Sequence, residues 1–200
     1  MTGMPGLINE LDAVLGAASV PRRTAILQQV TDLFLEGAAS YSDEQVAVFD
    51  VVMNLLVQKI ERPALIELSK RLASANRAPA DTIGRLASDD DLMISEAILV
   101  HCNAITDETI VEIAKAKGQG HLLAIASRKE LTEAITDVLI SRADPKVMRN
   151  VLSNRGAQIS QVGFVKLINE AKRDSKLTEL LSSRSDVPSE LQPFLELLRA

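Results

Sequence analysis

The sequence predicts an all-α protein: a right-handed α-α superhelix, or solenoid, of degenerate HEAT-like helix pairs with a helical N-terminal cap. Three observations point there. Apolar residues make up 46% of the chain but aromatics only 2%, so its core must be Leu, Ile, Val and Ala, the residues that pack helix against helix. Those apolar residues recur at i, i+3 and i+4 along almost the whole sequence. Capping residues, not the dense turn signals of strands, separate the runs, and nine Gly and seven Pro in 200 residues are too few for a sandwich or barrel.

The first clear helix opens at Pro21, where a fixed φ suits the first turn, and Gly37 ends it; Ile26, Val30, Leu33 and Phe34 form its apolar face. Ser42-Asp43-Glu44-Gln45 reads as a capping box, the serine accepting from the backbone of Gln45 while the Gln45 amide reaches back. The helix it starts carries Val46, Phe49, Val52, Met53, Leu56 and Ile60 as a buried stripe. Pro63 opens a third helix with Leu65, Ile66, Leu68 and Leu72, which fades at Asn76. Pro79 begins a short one to Ala87, and Ser88 caps the next, with Asp89, Asp90 and Asp91 in a first turn whose dipole favours negative charge.

Thr106-Asp107-Glu108 repeats that device for a helix running to Gly118. His121 to Ala126 and Leu131 to Ile140 follow, and Asp144-Pro145 pairs an N-cap with a first-position proline ahead of Val147 to Leu152. Ser160 starts the helix with Val162, Val165, Leu167 and Ile168; Leu177 to Leu181 and Pro188 to Leu198 complete the chain. The total is roughly eleven helices with short turns, which makes neighbours antiparallel. Phe49, Met53, Leu56, Leu72, Leu86, Leu99, Ile125, Leu139 and Leu152 are the expected core.

A weak repeat accompanies this pattern. Leu139-Ile-Ser-Arg-Ala-Asp-Pro matches Leu181-Ser-Ser-Arg-Ser-Asp-Val-Pro 42 positions later, and Leu86-Ala-Ser matches Ile125-Ala-Ser at a spacing of 39. A period near about 40 with helix pairs is HEAT-like. The expected organisation is one domain over 1–200, with 1–75 as a helical cap or bundle and 76–200 as degenerate repeats.

A series of blocks carries a resemblance as well. Arg85-Leu-Ala-Ser-Asp-Asp-Asp, Gly120-His-Leu-Leu-Ala-Ile-Ala-Ser-Arg128, Leu131 to Arg142, Ser153-Asn-Arg-Gly-Ala-Gln-Ile-Ser-Gln-Val-Gly-Phe164 and Arg184-Ser-Asp-Val-Pro188 resemble, in order, the bacterial domain of unknown function 2336. The ordered series covers most of residues 40–190. The resemblance implies a bacterial, cytoplasmic helical-repeat protein and no particular activity.

Charge and cysteine content narrow the function classes. A net charge of −5 disfavours a general nucleic-acid or acidic-membrane binder. One cysteine, Cys102, excludes an intramolecular disulfide and a multi-thiolate zinc site. Met1 to Leu11 lacks a signal-peptide pattern, and Val46 to Val57, interrupted by Asp50 and Asn54, is too short for a membrane span. These readings point to the cytoplasm.

No motif carries chemistry. Adjacent helical residues point about 100° apart, so His101 and Cys102 do not converge on a metal or form a base and nucleophile. Asp89-Asp90-Asp91 lacks the alternating ligands and glycine turn of a calcium loop and reads as a helix cap. Gly118-Gln-Gly120 lacks the preceding strand of a dinucleotide fold. No cofactor or metal is expected.

One constellation stands out. Arg128, Lys129, Arg142, Lys146, Arg149 and Arg155 form a basic cluster, and Arg128, Arg142, Arg155 and Arg184 each follow a Ser or Asn near a helix end. With His121, these arginines are the candidate interaction edge, one that could take a phosphate, an acidic peptide or a nucleic-acid backbone; the competing reading has each arginine tethering helix-end carbonyls or pairing with Asp144 or Asp186. The expected function is a non-catalytic protein-interaction scaffold for a protein or peptide. The alternative is a HEAT-like nucleic-acid-binding protein or glycosylase-type enzyme with a basic groove, against which the absent Trp and single Tyr41 count.

Overall fold

The computed structural model describes residues 13, 15–75 and 77–199, and the readings of Met1 to Leu11 and of Asn76 lie outside these residues. Among the described residues there are twelve α-helices and no strand. They are α1 (Val20–Gly37), α2 (Asp43–Val57), α3 (Arg62–Ala73), α4 (Ala80–Ala87), α5 (Leu92–His101), α6 (Asp107–Ala116), α7 (Gln119–Ala126), α8 (Glu133–Ser141), α9 (Pro145–Ser153), α10 (Gln161–Ala171), α11 (Ser175–Ser182) and α12 (Gln192–Arg199). A 3₁₀ turn, Ser189–Leu191, precedes α12. Contacts divide the chain into two compact units, Met1–Ile105 and Thr106–Ala200.

N-cap side chains set half of the helix starts among the described residues. Ser42 Oγ accepts the Gln45 N–H at 3.3 Å while Gln45 Oε1 accepts the Ser42 N–H at 2.8 Å, the reciprocal box expected. Thr106, Asp144, Ser160 and Asp174 cap α6, α9, α10 and α11 through their side chains. The start of α5 differs from expectation. Asp89 Oδ1 accepts the Asp91 N–H at 2.8 Å, holding the three aspartates in a turn, so Asp91 and not Ser88 is the N-cap. Ser88 instead closes α4, its N–H bonding the Gly84 carbonyl.

In the first unit α1 packs on α2, α4 on both α3 and α5, and each helix also packs on the next but one. Leu27, Thr31 and Phe34 form the buried face of α1, rotated from the expected one: Leu33 is 55% exposed and Ile26 and Val30 are half-buried. Thr31 tolerates burial because its hydroxyl donates to the Leu27 carbonyl at 2.7 Å. Eight of the nine expected core residues are buried; Phe49 is half-buried. Its ring meets Phe34 edge-on at 5.3 Å and stacks on Tyr41 at 5.1 Å, an aromatic cluster that leaves one side of Phe49 open.

The second unit repeats the arrangement. Helices α6 and α8, α7 and α9, α8 and α10, α9 and α11, and α10 and α12 pack as next-but-one neighbours. Its core runs through Ile110, Leu122, Ile125, Ile135, Leu139, Val147, Val151, Phe164, Leu167, Leu177 and Leu181. An isolated parallel bridge ties the loop before α8 to the loop before α10: Leu131 N–H donates to the Gly156 carbonyl at 3.0 Å and Gln158 N–H to the Leu131 carbonyl at 2.9 Å. Gly156 has to be glycine there, since a Cβ would lie 1.9 Å from the Lys129 carbonyl oxygen.

Candidate functional site

Polar side chains at helix ends join next-but-one helices, and they decide what the candidate arginines can do. At the N-terminal ends, Thr132 Oγ1 donates to Asp107 at 2.7 Å, linking α8 to α6, and Gln119 Nε2 donates to Asp144 at 2.6 Å, linking α7 to α9. Arg62 pairs with Asp91 across α3 and α5. Asp50, within α2, accepts the N–H groups of Asp81 and Thr82, each at 2.8 Å, and so caps α4 from outside. The Asp50 bonds satisfy two amides that the start of α4 leaves orphaned, and the others join side chains across helices.

The C-terminal ends carry the matching set. Arg142 Nη1 donates to the carbonyls of Ala114 at 2.8 Å and Lys115 at 2.7 Å, joining the end of α8 to that of α6. Asn154 Nδ2 donates to Ala126 O at 3.1 Å and Arg128 O at 2.6 Å, joining α9 to α7. Arg184 Nη1 donates to Leu152 O at 3.2 Å and Asn154 O at 2.9 Å, joining α11 to α9. Bonds at both ends run α6 parallel to α8 and α7 parallel to α9. The sequence match of Leu139 to Leu181 has a structural counterpart, since both leucines are 0% exposed and both following arginines hold helix-end carbonyls.

The candidate arginines therefore separate. Arg128, Arg155 and Arg184 follow α7, α9 and α11, whereas Arg142 follows α8 in the other series of helices. Arg128 is half-buried and lends its carbonyl to Asn154. Arg184 is nearly enclosed, its side chain 8% exposed, with Nε and Nη2 also on the two Asp186 carboxylate oxygens. The guanidinium beside Asp186 holds that carboxyl below the usual carboxylate range. Arg149 does the same to Asp174 from 2.6 Å, aided by the Leu177 and Lys176 amides that the carboxylate accepts. His121 is buried in α7.

Arg155 and Arg184 do meet at one place. A cleft of about 540 Å³ lies at the ends of α9 and α11, lined by Leu152, Ser153, Arg155, Leu180, Ser183, Arg184, Ser185 and Asp186. Asn154, beside it, is the residue that sequence reasoning passed over. Its signal was the Asn-x-Gly spacing, since Gly156 N–H donates back to Asn154 Oδ1 at 2.9 Å and turns the chain.

Among the described residues, no group of three or more His, Cys, Asp and Glu is placed to hold a metal ion, and no helix is long and apolar enough to cross a membrane. Cys102 is buried at the end of α5 beside an exposed His101. No curated protein and no solved structure matches the chain. The family described as "Uncharacterised protein conserved in bacteria (DUF2336)" matches residues 94–194. That span is half of the chain and holds α6 to α11 with every helix-end bond of the second unit described above, and on it the chain belongs to the DUF2336 family.

Proposed function

We propose that this chain is a non-catalytic, cytoplasmic protein-interaction scaffold whose helices form right-handed α-α solenoids of degenerate HEAT-like pairs within each unit. The observation that supports the architecture is the packing and end-to-end bonding of next-but-one helices, which is how stacked helical repeats bury their cores. The arginine–carbonyl bond of Arg142 recurs 42 residues later at Arg184, but three helices on and in the other series, so it is a shared helix-end device and does not set the period of the pairs. Scaffolding follows as the use such arrays commonly serve, presenting an extended surface to a protein or peptide.

The nucleic-acid or glycosylase reading, whose basic groove would run through Arg142, Lys146 and Arg155, has no specific observation in its favour, and Arg142 is committed to the carbonyls of Ala114 and Lys115. Affinity capture of the tagged chain from its bacterial host, followed by binding of the purified partner to the purified chain, tests the proposal. A direct, salt-sensitive protein complex is expected. Recovery of nucleic acid alone, with no protein binding the purified chain, would refute it.

A further inference from the structure

The cleft at the ends of α9 and α11 holds two arginines in opposite chemical states. A guanidinium has five N–H donors. Arg184 has an acceptor for each: Nε on Asp186 Oδ1, Nη2 on Asp186 Oδ2 and Ala157 O, and Nη1 on Leu152 O and Asn154 O. Arg155 is exposed on the same cleft and makes no hydrogen bond or ion pair among the described residues. The hydroxyls of Ser153 and Ser183 donate to the carbonyls of Arg149 at 2.8 Å and Leu180 at 2.7 Å, leaving their oxygens as acceptors. Arg155 is thus the cation in this cleft whose charge no partner offsets.

We propose that the cleft binds the carboxylate of an acidic peptide segment, with Arg155 taking the two oxygens in a fork and the half-buried Leu180 meeting a flanking apolar side chain. This rests on the scaffold reading and names the chemistry of its partner. Bidentate pairing with a planar carboxylate is what an uncommitted guanidinium does best. A monoanion fits better than a phosphate dianion, because the charges of Arg184 and Asp186 offset each other and Arg155 alone is left to match a ligand's charge. The negative C-terminal ends of α9 and α11 count further against a second negative charge. A volume of about 540 Å³ accommodates a short stretch of chain.

Calorimetric titration of the full chain with a capped five-residue peptide, one glutamate between two leucines, tests the assignment. Its glutamine counterpart, sodium acetate and inorganic phosphate are the comparison ligands. The glutamate peptide is expected to bind, to weaken as salt rises, and to lose roughly tenfold or more in affinity in Arg155→Gln, with Arg155→Lys intermediate. Far-ultraviolet circular dichroism confirms that the variants stay folded. Equal binding of the glutamine peptide, or by Arg155→Gln, would overturn the proposal. Acetate binding as tightly as the peptide would refute the peptide assignment, and phosphate preferred over the peptide would refute the carboxylate. If the partner captured from cells still binds Arg155→Gln unchanged, the cleft assignment fails while the scaffold reading stands.

Discussion

Arg184 donates to the backbone carbonyl of Asn154 at 2.9 Å, and Asn154 in turn holds the end of α7 with its side-chain amide. Two helix-end bonds are thereby chained, so that α11 positions the residue that positions α7. Arg184 shares the Asn154 carbonyl with the Ala157 N–H, Asn154 occupies the Ala126 carbonyl at the end of α7, and each bond ties one helix to the next parallel one.

Asn154→Asp isolates the middle link. The acceptor that turns the chain at Gly156 stays, but two donors vanish and a carboxylate faces the carbonyls of Ala126 and Arg128. Urea unfolding is expected to show a loss of about 1–3 kcal/mol, the usual cost of leaving part-buried polar groups unpaired.

Ala143 is the one non-glycine residue with a positive φ among the described residues, at 53°, in the turn between Arg142 and the Asp144 cap. Because a Cβ is strained in that conformation, Ala143→Gly should raise stability by a few tenths to about 1 kcal/mol despite the added freedom of the unfolded chain. Thermal denaturation is the check.

Gly156→Ala should do the reverse. Its Cβ would fall 1.9 Å from the Lys129 carbonyl oxygen, a backbone atom that cannot swing away, and the bridge from Leu131 would have to open. A loss of about 2 kcal/mol or more is expected in the same assay.

Leu139, wholly enclosed in α8, should cost about 2–5 kcal/mol on truncation to alanine. A measured loss under about 1 kcal/mol would mean that α8 presents another face to the core.

Acid should weaken the fold through Asp91, Asp174 and Asp186, whose folded carboxyls are held below their ordinary range by Arg62, Arg149 and Arg184. A depressed folded pKa contributes stability that is full above the unfolded carboxylate pKa and is lost as pH falls through the folded one. Stability should therefore hold from neutral pH to about pH 5 and decline below about pH 4. Asp174→Asn should flatten that decline, as urea titrations at stepped pH would reveal.

Local signals were legible in the sequence wherever one residue type dictates one geometry. The Ser42 box and the Asp144-Pro145 start needed only neighbours along the chain. The faces of α1 and the N-cap of α5 were harder, because both depend on which polar group finds a partner. Thr31 is buried once its hydroxyl meets Leu27, and Asp91 replaces Ser88 once Asp89 holds its amide. The candidate arginines looked alike as residues following helix ends. What separates Arg184 from Arg155 is a set of carbonyls from residues 27 to 32 positions earlier, which no local pattern encodes.

The most direct test of this division of labour is a urea-unfolding comparison of Arg142→Ala, Arg155→Ala and Arg184→Ala. Arg184→Ala should lose the most, about 2–4 kcal/mol, since it strips partners from three carbonyls and a carboxylate; Arg142→Ala should lose about 1–2 kcal/mol, and Arg155→Ala no more than about 0.5 kcal/mol. An Arg155→Ala loss equal to that of Arg184→Ala would contradict the account, because Arg155 would then be holding the fold and would not be free to take a ligand.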